Sequence, residues 1–163
     1  MSKLKTQSGS EVELGPLAHD LMFMIRNMQT LLRPEAQAVR GALNLEPGVI
    51  GVLSIVWLNP DISQNDLAAS LVLKKSAVTK LVKSLEADGL LTRRKVSADR
   101  RRNALTLTSD GHALISEMRG MTDALHDRLF DGVAEDDRAA FFRVMFGLFS
   151  RLESQGKGGD QPK

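Results

Sequence analysis

The chain of 163 residues contains no cysteine. Structural disulfides, thiolate metal sites, a cysteine nucleophile and a peroxide-sensing thiol are therefore excluded. Long apolar runs are missing too. Charges interrupt every hydrophobic segment well short of the ~20 residues a membrane span needs, and the start MSKLKTQSGSEVE lacks the apolar centre of a signal peptide. A soluble, cytoplasmic protein is expected. The patterns HExxH, GxSxG, GxGxxG and the phosphate-binding P-loop do not occur, and the three histidines, His19, His112 and His126, lie far apart. Asp123 and His126 could share a helix face, but two ligands are too few for a metal site. No catalysis, cofactor or metal is expected.

What the chain does have is a local excess of positive charge. Between Lys74 and Arg102 there are ten basic and three acidic residues, a surplus of seven positive charges. The remainder, with twelve basic and seventeen acidic residues, carries five net negative charges. Such asymmetry within one small domain fits either a nucleic-acid footprint or an ordinary solvated face. No aromatic residue lies in the basic stretch, whereas readers of single strands need aromatic platforms for unstacked bases. Duplex DNA is the favoured partner among nucleic acids.

At this length one domain with a real core is expected, over residues 14–153, between loose tails at 1–13 and 154–163. Apolar residues from Leu14 to Leu32 recur at helical spacing, and Pro34 predicts a kink or restart. LNLEPGVIGVLSIVWLN reads as a second helix with Glu46 and Pro47 in its first turn, ended by Asn59, Pro60 and Asp61. Ser63, followed by Asp66, predicts a capped short helix over Gln64 to Leu71. After a turn at Val72 to Lys74, a further helix turns Val78, Leu81, Val82 and Leu85 inward, with Gly89 as its left-handed C-cap. Helix, tight turn, helix is the helix-turn-helix arrangement.

LLTRRKV and NALTLT then predict a β-hairpin with the tip SADRR. Thr108 caps a helix from Ser109 to about Phe130, and AEDDRAAFFRVMFGLFSRLE forms the last. In that last helix Phe141, Phe142, Val144, Met145, Phe146, Leu148 and Phe149 cover nearly the whole circumference. A helix apolar all round needs burial on all sides, as the central helix of a monomer or against a partner subunit.

Base edges in a major groove present mixed donors and acceptors, so a reader needs short polar side chains flanked by cations. Lys74, Lys75, Ser76, Ala77, Thr79, Lys80 and Lys83 supply that set, and Ser76, Ala77, Thr79 and Lys80 fall on the turns of a recognition helix that meet bases. A solvated face would look similar. The hairpin tip shifts the balance, because Arg100, Arg101 and Arg102 repel one another until an anion neutralises them. Along a strand Arg100 and Arg102 point one way and Arg101 the other, and a narrow minor groove suits an inserted arginine. Asp99 is placed to hold an arginine and shape the tip. Arg94 adds a further cation at the hairpin.

The pattern Asp99, Arg101, Leu105, Leu107, Thr108, Gly111 (D-x-R-x-x-x-L-x-L-T-x-x-G) resembles the wing signature of MarR-type winged helix-turn-helix regulators. LNLEPGVIGVL and LVKSLEADGLLTRR are similar to the second helix and recognition helix of that family, so the resemblance spans roughly Leu17 to Leu152. It implies a mainly α fold with a small β-hairpin wing. A winged helix-turn-helix lobe (45–111) would sit with a dimerisation module (14–44 and 112–153) built from the first and last helices. It further implies a homodimer, usually a repressor, on an inverted-repeat operator, with Leu17, Leu21, Phe141, Phe142, Met145, Phe146 and Phe149 at the subunit interface. Many relatives release DNA on binding a small, often anionic aromatic effector; the corresponding neighbourhood here holds Met22, Arg26, Trp57, His112 and Arg119. Two departures are Pro34, inside the long first helix of the family, and the missing cysteine, which removes the thiol switch. A winged-helix module that binds proteins instead of DNA, and a metal-responsive regulator, are the alternatives.

Overall fold

The computed structural model describes residues 3–6, 8–96 and 99–156; over 95–103 and at 156 it describes the backbone alone. Ser97 and Ala98 of the expected tip lie outside the described residues, as do 157–163 of the expected C-terminal tail. The chain divides into two compact units, residues 1–122 and 123–163.

The first unit begins with a departure from expectation. Two short strands, β1 (Lys3–Lys5) and β2 (Glu11–Glu13), pair antiparallel near the start of the chain. Lys3 and Glu11 close an ion pair at 3.1 Å, and Gly9 takes the left-handed conformation that the turn requires (φ 83°). Both strands are exposed and only three residues long, which is why they leave no apolar signal in the sequence. A 3-10 turn (Gly15–His19) follows, so the first helix starts later than the apolar spacing predicts. That helix, α1 (Leu21–Ala42), opens where the Asp20 carboxylate accepts the Phe23 amide at 2.7 Å. It runs unbroken through Pro34. Proline removes one backbone donor, and in a helix of 22 residues the remaining bonds outweigh that single loss.

The second helix, α2 (Val49–Leu58), also starts later than expected, because Gly48 turns left-handed (φ 90°). A β-carbon at Gly48 would lie 3.0 Å from Leu81 Cδ1, so glycine serves both the left-handed turn and the close approach to Leu81. Glu46 and Pro47 belong to the preceding turn. A strand that the sequence hides, β3 (Ile62–Ser63), leads into α3 (Gln64–Ser70), capped as expected by the Ser63 hydroxyl on the Asp66 amide. After the turn, in which Val72 adopts φ 53°, α4 (Lys75–Ala87) ends at Gly89 (φ 70°).

The hairpin consists of β4 (Leu91–Val96) and β5 (Asp99–Leu107), paired from Leu91↔Leu107 to Val96↔Asp99 with a shift at Lys95/Val96. Asp99 to Arg102 thus belong to a strand and not to a five-residue tip. β3 adds to the other edge of β5, giving the order β3-β5-β4. The next helix, α5 (Ser109–Leu129), is capped by Thr108, whose hydroxyl accepts the Gly111 amide and donates to the Gly89 carbonyl.

One core holds these pieces together. Val52, Leu53 and Val56 of α2, Leu67 of α3, Val78, Val82 and Leu85 of α4, Leu91 and Leu105 of the sheet, and Ile115 and Met118 of α5 are all essentially inaccessible. No described residue of α1 is buried. In the second unit α6 (Glu135–Gly156) continues beyond Ser154, where the tail was expected to begin, and likewise buries nothing. Phe141, Phe142, Val144, Met145, Phe146, Phe149 and Leu152 are exposed. Phe130 meets Phe141 and Phe142 with ring centres 6.0 and 5.5 Å apart, and Arg138 covers the Phe130 ring at 5.0 Å. Among the described residues, no helix is long and apolar enough to cross a membrane.

Candidate nucleic-acid interface

The apolar spacing of α4 decides which of its side chains face out. Val78, Leu81, Val82 and Leu85 form one buried stripe. At 3.6 residues per turn, Ser76, Lys80 and Lys83 fall opposite it, and all three are exposed, as are Lys74, Lys75 and Ala77. The result is a continuous cationic and hydroxyl-bearing edge on a helix that is rigidly seated by its other side. Cations and small polar groups held on a rigid helix are what phosphate contact and base readout require.

Thr79 is different. It lies at the border of the buried stripe, half-buried, and its hydroxyl donates to the Lys75 carbonyl at 2.8 Å while accepting from Gln64 Nε2 at 2.6 Å. The sequence places it with the outward readers; the structure places it against α3.

The two arginines at the start of the hairpin part ways, as alternation along a strand requires. Arg93 turns toward α4 and forms a two-pronged pair with Glu86, at 3.0 and 2.6 Å, while also donating to Gln64 Oε1 at 3.3 Å. Arg94 turns to the other side and meets both oxygens of Asp61 at 3.0 Å; Thr106 donates to the same carboxylate at 3.3 Å. Asp61 holds φ 67° and its amide bonds the Leu105 carbonyl, so the loop before β3 is clipped to the sheet. Arg94, expected among the DNA contacts, is therefore already paired. The backbone puts Asp99, Arg100, Arg101 and Arg102 at the far end of β5, and their side chains lie outside the described ones.

Gln64, Glu86, Arg93 and Asp61 were not singled out from the sequence. The pairings span 33 residues for Arg94 and Asp61, and 15 for Gln64 and Thr79. Only the seven-residue step from Glu86 to Arg93 is short enough to have hinted at an ion pair. Of the expected effector neighbourhood, Trp57 and Arg119 come together, with the guanidinium 4.6 Å from the centre of the indole. Met22 is 75% exposed on α1, Arg26 is exposed beside it, and His112 is exposed near the start of α5. Among the described residues, no group of three or more acidic or histidine side chains converges in the way a metal centre needs.

The sequence model of the MarR family matches residues 43–102. A protein of Thauera aromatica named for transcriptional regulation of the hcr operon is 33% identical over 147 residues, covering 90% of this chain and 86% of that one. The chain belongs to the MarR family. As a member, it is a transcriptional regulator of winged-helix fold. Among solved structures, the transcriptional repressor CouR bound to a 23-mer DNA duplex superimposes with a TM-score of 0.73 at 25% identity, covering 85% of this chain and 99% of that one. CouR from Rhodococcus jostii RHA1 bound to p-coumaroyl-CoA gives a TM-score of 0.71 at 22% identity, over 81% of this chain and 93% of that one.

Proposed function

We propose that this MarR-family regulator works in the cytoplasm as a homodimeric, non-enzymatic repressor. It binds an inverted repeat in duplex DNA and lets go when a small aromatic, anionic ligand binds. The observation that carries the reading is the outer edge of α4: Lys74, Lys75, Ser76, Ala77, Lys80 and Lys83 stand exposed on a helix whose opposite side is sealed into the core. Two such helices in a dimer enter successive major grooves about 34 Å apart. Arg100, Arg101 and Arg102 reach the adjacent minor groove, with Asp99 shaping the strand end.

The dimer reading draws on uncovered apolar residues: Leu17 in the 3-10 turn, Leu21 at the start of α1, and Phe141, Phe142, Met145, Phe146 and Phe149 of α6. Large apolar side chains left exposed in such number are a common mark of a protein–protein contact. For the effector, the Trp57–Arg119 pair offers an aromatic face and a cation side by side, and the CouR complex with an aromatic thioester supports that chemical class. Met22, Arg26 and His112 are the further candidates.

The test is selection of sequences from random duplex DNA, then titration of the selected site at several salt concentrations. Binding whose log K falls with log salt by ~0.9 per phosphate contact is expected. Arg101→Ala should weaken it sharply while leaving the protein folded. Lys80→Ala should relax preference at one position, by about 1–3 kcal/mol if Lys80 contacts a base. A protein that ignores every duplex in dilute salt would reject the reading.

A further inference from the structure

We infer that Gln64, Glu86 and Arg93 are positioning residues for sequence readout: a polar tie, clear of the DNA-facing edge, that fixes the roll and axial position of α4. The inference deepens the DNA-binding reading and rests on it. Gln64, the first residue of α3, bonds Thr79 through its amide nitrogen at 2.6 Å and Arg93 through its amide oxygen at 3.3 Å. Arg93, on β4, grips Glu86 with two bonds. Because the Thr79 hydrogen is committed to the Lys75 carbonyl, the Gln64 contact has a defined direction, nitrogen to hydroxyl. One chain of bonds therefore links α3, the wing strand and two points on α4.

Those two points give the tie its function. Thr79 and Glu86 are about two turns apart and flank the same side of the buried stripe. A single bond lets a helix pivot; two, spaced along the axis, stop it from rolling or sliding. Groove readout tolerates misplacement of only about 0.5 Å, so small rotations of α4 matter for bases far more than for phosphates. The packed apolar stripe seats α4 in the core, and the two polar bonds add directional restraints that apolar contacts do not supply.

Burial separates this pair from its neighbour. The Arg93 and Glu86 side chains are 24% and 30% exposed, against 71% and 50% for Arg94 and Asp61. Withdrawing an ion pair from water costs much of what the pair returns, so its worth lies more in orientation than in stability. Thr79 thereby becomes an anchor and not a base donor.

The experiment compares Glu86→Gln with wild type on two duplexes, the sequence that wild type selects and a scrambled duplex of equal length. Glu86→Gln removes the negative charge that pairs with Arg93 and exchanges one of its two acceptor oxygens for a donor, so the two-pronged grip is lost while the Gln64 contact stays. A purely electrostatic role for Glu86 predicts tighter binding to both duplexes. A merely structural role predicts that both weaken together in proportion to the unfolded fraction. The tie predicts a roughly tenfold fall in the ratio of specific to non-specific affinity, with the scrambled duplex bound at least as tightly as by wild type. Gln64→Leu, which changes no charge, should lower the ratio in the same direction, and it carries the test if Glu86→Gln does not fold. The double exchange Glu86→Arg with Arg93→Glu should recover part of the ratio. An unchanged ratio in both single variants, or affinities that rise or fall together, overturns the proposal. Failure of wild type to select any sequence is a separate result, and it rejects the DNA reading itself.

Discussion

The winged-helix lobe and the terminal helices use the same apolar residue types to opposite ends. Every buried hydrophobic side chain of the described residues lies between Val49 and Met118. α1 and α6 carry comparable side chains, yet Met22, Leu31, Phe146 and Leu152 are each more than 60% exposed. Burial, and not composition, tells a self-sufficient core from a surface that waits for a partner. The lobe closes on itself because α2, α3, α4, α5 and the sheet converge from several directions. A long helix has only its own length to offer, and its apolar side stays wet until something lies along it.

The difference breaks most visibly if α6 is made polar. Phe146→Glu with Phe149→Glu should convert a particle of twice 17.9 kDa into a monomer in sedimentation equilibrium. The lobe's cooperative thermal transition should persist, because neither side chain belongs to the buried core between Val49 and Met118. A double variant that still sediments as a dimer would move the interface elsewhere.

Leu→Ala truncations in that monomeric background sharpen the comparison. Leu53→Ala, in the sealed core, should cost about 2–5 kcal/mol in denaturant unfolding. Leu152→Ala, at an exposed site, should cost less than ~0.5 kcal/mol. Similar costs at both sites would mean that α6 is covered within a single chain after all.

Gly111→Ala probes the lobe at its tightest point. A β-carbon there would lie 2.0 Å from the Leu90 carbonyl oxygen, and backbone cannot swing aside as a side chain can. A loss of about 1–3 kcal/mol is expected, with the thermal midpoint as the readout. The same residue explains why the T-x-x-G ending of the wing signature was legible. Thr108 ties the start of α5 to Gly89 while Gly111 lets Leu90 approach. Ser63, Thr108 and Gly89 were readable for a shared reason: caps and left-handed turns act within a few residues, so spacing reveals them. The α4 core stripe was readable from its period.

What escaped was decided at a distance. β3 exists only because β5 runs beside it, and two residues carry no periodicity. The close approach of Gly48 to Leu81, far along the chain, is likewise invisible to local spacing. Thr79 reads as an outward hydroxyl until Gln64 is brought against it, and Arg94 reads as a free cation until Asp61 arrives from the loop before β3. Local rules placed α4; only the folded chain shows which polar groups are already bonded.

The smallest effect is expected where the lobe meets water. Arg94 and Asp61 make good geometry, both carboxylate oxygens at 3.0 Å, but their side chains are more than half or half exposed. Solvent screens such a pair and ordering a long side chain costs entropy, so Arg94→Ala should change stability by no more than ~1 kcal/mol. Thr106 and the Asp61 amide still hold the loop to β5 once the guanidinium is gone. A loss several times larger in denaturant unfolding would show that the clip, and not the apolar core alone, closes the lobe. The contrast between a self-sealed core and unsealed helices would then need a polar component.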